Sequence, residues 1–103
     1  MIRIPLAAVP LQTLAIVVAA QACQIALRQN GANMYFDLTV NNVTIVLSRI
    51  VRNKQLLLLD TQYRGFIGDF VFNDTQGDTQ PEFSGLDTRY RLYYVETTDT
   101  LLL

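Results

Sequence analysis

The segment Gly85-Leu86-Asp87-Thr88-Arg89-Tyr90-Arg91-Leu92-Tyr93-Tyr94-Val95-Glu96 is the most informative part of the chain, because it joins a turn signal to the densest aromatic and β-branched run. Such runs are typical of strands. Successive side chains of a strand point to opposite faces, so Tyr90, Leu92 and Tyr94 share one face. The other face carries Arg89, Arg91, Tyr93 and Val95. The sequence therefore predicts a late, central strand with one core face and one amphipathic face.

The composition is that of a globular protein with one core. The chain has 103 residues, of which 50% are hydrophobic and 17% are charged, so burial of apolar surface can offset chain entropy. This length predicts a single β domain over residues 1–103. The net charge of -1 gives no broad basic field and argues against recognition of a nucleic-acid sequence. One cysteine and no histidine exclude an internal disulfide and the usual zinc sites.

The first 23 residues allow two interpretations. Residues 1–6 predict a short edge strand that Pro5 ends, because proline cannot donate to a sheet ladder. The apolar run 14–20, followed by Gln21-Ala22-Cys23, resembles a secretory or lipoprotein signal. Against that interpretation, its basic flank is only Arg3, and the run is far shorter than the roughly 20 apolar residues that span a bilayer. We therefore predict no stable membrane insertion and favour a hairpin.

Alternating apolar residues extend this hairpin into a meander of four strands. The alternation appears in four segments, at Leu14, Ile16 and Val18, at Cys23, Ile25 and Leu27, at Phe36, Leu38 and Val40, and at Val43, Ile45 and Leu47. The segments are separated by a short break at 19–22 and by turn signals at 30–33 and 41–42, where Asn and Gly tolerate positive φ. Intervening polar residues such as Asp37 and Ser48 are predicted to face solvent.

The second half of the chain has a weaker pattern. Residues 50–62 are predicted to be extended or irregular, and 68–72 to be a short strand with Phe70 and Phe72 on one face. The polar segment 73–85 predicts an exposed loop, which is either mobile or a contact site. No 3.6-residue period is sustained. The fold class is therefore predicted to be all-β, an antiparallel β-barrel or sandwich of six or seven strands.

The sequence does not assemble a catalytic or metal site. Histidine, the usual general base, is absent, and Cys23 falls in an apolar strand, where a thiol is typically a small core residue. Five acidic residues lie close together in sequence: Asp69, Asp74, Asp78, Glu82 and Asp87. Their spacing does not match a calcium-binding loop and is more typical of turn caps and solvated charges. We predict no enzymatic activity, no cofactor and no metal.

The tyrosine and arginine residues of the 85–96 segment have three interpretations. In the first, Arg89 and Arg91 beside Tyr90, Tyr93 and Tyr94 form a stacking surface for a nucleic acid or sugar, and a small ligand- or carbohydrate-binding module would use Tyr90, Tyr93 and Arg91 as its platform. In the second, they are simply an aromatic core face and a salt-bridged outer face. In the third, they form a protein interface, where Tyr and Arg are enriched.

Three groups of residues, taken in order and spacing, resemble a known family. They are Ile4-Pro5-Leu6 with Pro10-Leu11-Gln12-Thr13-Leu14, Gly68-Asp69-Phe70-Val71-Phe72, and Gly85-Leu86 with Arg89-Tyr90-Arg91-Leu92-Tyr93-Tyr94. The chain is similar in these groups to the small baseplate plug proteins of contractile-tailed bacteriophages, of the cyanophage type. Its segment 50–63 is poorer in glycine and proline than the family pattern. The family has no catalytic residues to transfer.

The resemblance implies a structural protein of the virion, made in the host cytoplasm and located in the tail baseplate. It implies a plug at the central hub, with the hub, tail tube and tape-measure proteins as partners, and a homo-oligomer within the baseplate. From position and polarity we predict contacts by strand addition or edge packing. The candidate contact residues are Met1, Ile2, Arg3, Ile4, Arg89, Arg91, Tyr93, Leu101, Leu102 and Leu103. The alternative function is a small ligand- or carbohydrate-binding β module.

Overall fold

The computed structural model describes residues 2–58, 66 and 68–96. Its elements, in chain order, are β1 (Ile2–Ile4), β2 (Leu11–Val18), β3 (Gln21–Asn30), β4 (Asn33–Val40), β5 (Val43–Ile50), β6 (Asp69–Asp74), a 3₁₀ helix (Phe83–Gly85) and β7 (Tyr90–Val95). Every pairing between these strands is antiparallel. The predicted all-β class is confirmed. No helix in the described part of the chain is long and apolar enough to cross a membrane.

The strands form two sheets that make a sandwich. The larger sheet has the order β2-β3-β4-β5, and the smaller one has the order β1-β7-β6. The sheets are not closed into a barrel, so the sandwich is the one of the two predicted architectures that is observed. Strand β7 is central in its sheet, as its sequence predicted, and Tyr90, Leu92 and Tyr94 are buried.

One hydrophobic core lies between the sheets, and aromatic rings from both layers meet in it. The ring centroids of Phe36 in β4 and Phe70 in β6 are 5.6 Å apart. Tyr94 in β7 lies 5.5 Å from Phe70, and Phe66 stacks on Phe70 at 5.9 Å. Tilted and offset rings at these separations attract each other beyond the effect of burial alone. The two sheets therefore share a single aromatic centre.

Two hairpins of the larger sheet close through two-residue turns in the left-handed region. Ala19 and Ala20 have φ values of 49° and 59°, and Asn41 and Asn42 have 49° and 67°. Two consecutive residues with positive φ are typical of the type I′ turn, whose twist matches that of the flanking strands. The asparagine turn and the first hairpin were both predicted. The break at 19–22 proves shorter than predicted, because Gln21 already belongs to β3.

The predicted alternation fails in β5. The register between β4 and β5 shifts on both sides of Leu38, and each such shift inserts an extra residue into one strand. As a result Val46 is buried, whereas Leu47 is 72% exposed. The prediction that Leu47 lies on the core face was wrong, because one inserted residue reverses the facing of the residues after it. Val43, predicted on the same face, is 46% exposed next to the turn.

Asp37 of β4 anchors the register shift that lies between Phe36 and Leu38. Its Oδ1 accepts a hydrogen bond of 2.5 Å from the Ser48 backbone N–H, and its Oδ2 accepts one of 2.7 Å from Arg28 Nη1. Arg28 also donates to the Ser48 hydroxyl, and Ser48 has a φ of 56°. A carboxylate on the outer face thus connects β3, β4 and β5 and holds a non-glycine residue in the left-handed region.

The segment 51–58 runs beside β6 without forming a helix, as predicted for that part of 50–62. The backbone N–H groups of Lys54 and Leu57 donate to the carbonyls of Phe72 and Phe70, each at 2.8 Å. Leu57 and Leu58 are buried in the core. This segment therefore covers the outer edge of β6. The remainder of the predicted irregular segment, 59–62, lies outside the described residues.

Candidate partner-binding surface

The strand pairing brings several of the predicted contact residues together on the small sheet. Strands β1 and β7 pair with Ile2 opposite Tyr94, Arg3 opposite Tyr93 and Ile4 opposite Leu92. Arg3 and Tyr93 are therefore neighbours on the outer face, and Arg91 lies on the same face of β7. Ile2 is 53% exposed, but Ile4 is only 2% exposed and belongs to the core. Met1 and the predicted contacts Leu101, Leu102 and Leu103 lie outside the described residues.

Arg3 is held by the turn that precedes β7. Its Nη2 donates to the Asp87 carbonyl at 2.8 Å and to Asp87 Oδ1 at 3.1 Å. Both side chains remain partly exposed, at 43% and 31%, so water screens the pair and its net effect on stability is small. The contact holds the Arg3 guanidinium at the turn before β7 but leaves much of it accessible.

Arg91 has an unmet hydrogen-bonding group. Its side chain is half-buried, and its Nε is buried without a hydrogen-bond partner in the described part of the chain. Tyr93, two residues further along the same face, is also half-buried. A buried donor that lacks an acceptor costs free energy. Arg91 and Tyr93 therefore lie together on the outer face, with the Arg91 Nε enclosed by the protein.

Arg89, another predicted contact residue, is bound within the protein. It donates to Asp74 through Nε at 2.7 Å and through Nη2 at 2.8 Å. This bidentate arrangement fixes the guanidinium plane relative to the carboxylate plane. The Asp74 side chain is fully buried, whereas that of Arg89 is 32% exposed. Arg89 also lies over the Tyr90 ring at 5.2 Å. These contacts hold Arg89 against the loop that follows β6 and against the Tyr90 ring.

The carboxylate of Asp74 organises the loop that follows β6. Besides Arg89, it accepts hydrogen bonds of 2.9 Å from the backbone N–H groups of Gln76 and Thr79. The Arg89 hydrogen bonds are the main cause of a strongly lowered pKa of Asp74, and the backbone donors add to it. The same pair raises the pKa of Arg89. Both groups are therefore charged throughout the physiological range.

The loop predicted at 73–85 is more ordered than its composition indicates. Residues 73–74 belong to β6, and the 3₁₀ helix occupies the other end. Between them, Gln80 and Asp78 accept hydrogen bonds of 2.7 Å from the backbone N–H and side-chain amide of Asn53. The loop is thus tied to the segment after β5, and the prediction of turn-capping acids is confirmed for Asp74.

The stacking platform of Tyr90, Tyr93 and Arg91 is not formed. Tyr90 is only 5% exposed, and its hydroxyl lies 2.7 Å from Thr79 Oγ1. A Cβ at Gly85 would lie 2.8 Å from the Tyr90 ring carbons, so glycine is needed for this close packing. Tyr90 faces the core, whereas Tyr93 and Arg91 face outward. The platform interpretation was therefore wrong in this form.

The remaining candidate chemical groups are structural. The described residues contain no group of three His, Cys, Asp or Glu side chains placed to hold a metal ion. Cys23 is buried, and burial raises the pKa of its thiol. Asp69 is also buried, and its Oδ1 accepts hydrogen bonds from the backbone N–H groups of Leu58 and Phe70 at 2.8 and 2.6 Å. These groups pack and connect segments of the fold.

Comparison with known proteins identifies the family. The chain matches the family model described as cyanophage baseplate Pam3 plug gp18 over residues 1–98. The chain belongs to this baseplate plug family. Membership supports a structural role in the virion, in the tail baseplate, and association with other baseplate components. No curated protein matches the chain significantly.

Two polar anchors of the fold were not predicted from the sequence, although their residues were named. Asp74 and Arg89 are separated in sequence but come together because β6 and β7 pair with Asp74 opposite Tyr90. Asp37 was assigned only a solvent-facing position. The signal that could have identified the first pair is an acid at the end of one strand and an arginine directly before the next, joined by a loop.

Proposed function

We propose that the protein is a structural plug at the central hub of a contractile-tail baseplate, adjacent to the tail tube and tape-measure proteins, and that it catalyses no reaction. The observation that carries this proposal is the family match over residues 1–98, which covers nearly the whole chain. Synthesis in the host cytoplasm and homo-oligomerisation within the baseplate are part of the same proposal.

The outer face of β1 and β7 is the proposed contact with a neighbouring baseplate protein. It combines the partly exposed Arg3 with the half-buried Arg91 and Tyr93. Tyr and Arg are among the residues that most often dominate binding energy at interfaces, and the guanidinium of Arg91 carries further N–H donors that suit a carbonyl or carboxylate of a partner. Because β1 is an edge strand of only three residues, edge packing rather than an added strand is the proposed mode of contact.

Sedimentation of a phage lysate tests the location. Density-gradient fractions are analysed by mass spectrometry for this chain. We expect it in tail-sized particles together with hub and tube proteins, because a plug remains part of the assembled baseplate. Recovery of the chain only as a free small protein would overturn the proposed location.

Substitution on the outer face tests the contact. In a phage that lacks the native gene, Arg91→Met and Tyr93→Ser are each expected to reduce incorporation into purified tails to about a tenth or less, the effect of losing an interface anchor. Lys54→Met removes an exposed cation from a different surface and serves as the matched control. Circular dichroism first establishes that each variant folds.

Normal incorporation of both outer-face variants would show that the contact lies elsewhere. The terminal segment is tested separately by deleting Leu101 to Leu103. If the deletion leaves assembly unchanged, the predicted contact of those three residues is wrong. The proposal for Arg91 and Tyr93 is tested only by the substitutions at those two residues.

A further inference from the structure

The outer edges of the two sheets are protected to different degrees. The edge of β6 is covered by the segment that carries Lys54 and Leu57, whose N–H groups bond to it. Strand β1 has only three residues and is followed by Pro5. Strand β5 carries two register shifts. Covering, shortening and bulging are the usual means by which proteins prevent strands from pairing edge to edge.

Strand β2 has none of these protections. It is eight residues long, contains no charged residue, and pairs with β3 in one uninterrupted register from Leu11 opposite Arg28 to Val18 opposite Gln21. No strand in the described residues pairs with its other side. A long, regular and uncharged edge is the type that accepts another strand.

The direction of the free backbone groups follows from the hairpin. A two-residue turn makes Val18 and Gln21 a hydrogen-bonded pair, and the Gln29 N–H donates to the Pro10 carbonyl at 2.8 Å at the other end. Hydrogen-bonded pairs alternate along an antiparallel ladder, so the even-numbered residues of β2 bond to β3. The odd-numbered residues direct their N–H and C=O groups outward. They are Leu11, Thr13, Ala15 and Val17.

We propose that β2 of the free protein pairs with β2 of a second copy, antiparallel, around a two-fold axis at Leu14. In this register Leu11 lies opposite Val17 of the second copy, and Thr13 lies opposite its Ala15. Every outward N–H and C=O of the two strands then finds a partner. A register shifted by two residues would leave Leu11 or Val17 unpaired at each end, so the self-pairing selects one arrangement.

The side chains support a second copy as the occupant. Leu11 and Val17 are 70% and 72% exposed, and the two-fold places them directly opposite each other, where apolar cross-strand pairs remove surface from water. Because β2 has no charge, the two-fold brings no like charges of this strand together. Leu14 and Ile16 are only half-buried on the core side, and the second copy would cover them further.

The proposed contact is isologous and produces a closed dimer. A two-fold interface uses the same surface on both copies, and the bulged β5 edge at the far side of the sheet does not offer a second pairing site of the same kind. The expected product is a dimer with one continuous sheet rather than a fibre. This inference concerns the isolated protein and does not depend on its position in the baseplate.

Oligomeric state in solution tests the proposal. Multi-angle light scattering after size exclusion and equilibrium sedimentation are expected to show a dimer of the purified chain. Val17→Lys should raise the dimer dissociation constant by about tenfold or more, because the two-fold repeats the substitution at both ends of the ladder. Leu47→Lys is the matched control, since Leu47 is equally exposed at 72% but lies on β5.

Ala15→Pro provides a second, backbone-directed variant. Its missing N–H is one that points away from β3, so the fold tolerates the change while the pairing loses a donor. We expect this variant to be a folded monomer by circular dichroism and sedimentation. A monomeric parent protein at about 100 μM, well above the micromolar dissociation constants of ordinary specific contacts, would overturn the proposal. So would a dimer that Val17→Lys leaves intact, or one that Leu47→Lys weakens equally.

Discussion

At the scale of single residues, the pair Asp74 and Arg89 is the principal electrostatic feature of the described chain. Asp74 is a fully buried carboxylate that accepts hydrogen bonds from Arg89, Gln76 and Thr79. A buried charge is tolerated only when it is paired and hydrogen-bonded. Removing either member would leave the other without its main partner, so the pair is expected to control the stability of the loop after β6.

The pKa of Asp74 determines how stability depends on pH. Hydrogen bonding to Arg89 lowers this pKa in the folded state, below the ordinary value of 3.8 that applies when the chain is unfolded. The stabilisation is therefore complete above 3.8 and is lost as pH falls toward the folded pKa, because the unfolded state binds more protons there. We expect the free energy of unfolding of the parent protein to decrease below about pH 4.

Asp74→Asn is expected to unfold at lower urea concentration at about pH 7 and to show a weaker loss of stability between about pH 4 and about pH 2. Urea titrations followed by tyrosine fluorescence at each pH measure both effects. Glu82→Gln removes an exposed acid from the same loop and should reproduce the pH dependence of the parent. Equal pH slopes for Asp74→Asn and the parent would contradict the assignment.

At the scale of elements, the turn between β2 and β3 has a conformation that its residues do not favour. Ala19 and Ala20 both have positive φ, which costs an L-residue with a Cβ roughly 1–2 kcal/mol. Asn-Gly is the dipeptide that the type I′ turn prefers. The turn is held by the ladder on both sides rather than by its own sequence.

The double change Ala19→Asn and Ala20→Gly is therefore expected to stabilise the protein by about 1–2 kcal/mol. The gain is measured as an increased midpoint of urea unfolding with an unchanged slope. Ala8→Gly is the control, because Ala8 is exposed and its φ is not positive. That change should destabilise by about 0.5 kcal/mol. A loss of stability in the double variant would mean that the turn is not strained.

At the scale of the whole molecule, the two sheets are expected to unfold together. Phe36 of the larger sheet and Phe70 of the smaller sheet are in contact in the common core. Small domains with one core usually unfold in a single transition. We therefore expect one calorimetric transition whose van't Hoff and calorimetric enthalpies agree. This result is what the prediction of a single domain over residues 1–103 requires.

Phe36→Ala should lower the free energy of unfolding by about 3–5 kcal/mol and should weaken protection from hydrogen exchange in both sheets. Tyr35→Ala is the matched control, because Tyr35 is the neighbouring aromatic residue on the outer face of β4 and is only half-buried. Two separate transitions, or lost protection confined to the larger sheet, would show that the sheets are independent units.

The parts of the fold that could be predicted are those governed by local pattern. The alternation in β2, β3 and β4 survives because no residue interrupts the pleat, and the Asn41-Asn42 turn carries its own signal. The alternation in β5 could not be extrapolated, because the shift at Ser48 depends on a hydrogen bond to Asp37 in another strand. The outer-face position of Arg91 and Tyr93 was predictable, but the unmet Nε was not.

Residue order along the chain was enough to establish the β class, the succession of hairpins, the core face of the β7 strand and the resemblance to the plug family. The meeting of Asp74 with Arg89, the solvent-facing position of Leu47 and the open edge of β2 emerged only once the chain was folded. The physical reason is that alternation and turn preference act between near neighbours. Bulges, buried ion pairs and sheet edges instead depend on hydrogen bonds between segments that folding brings together.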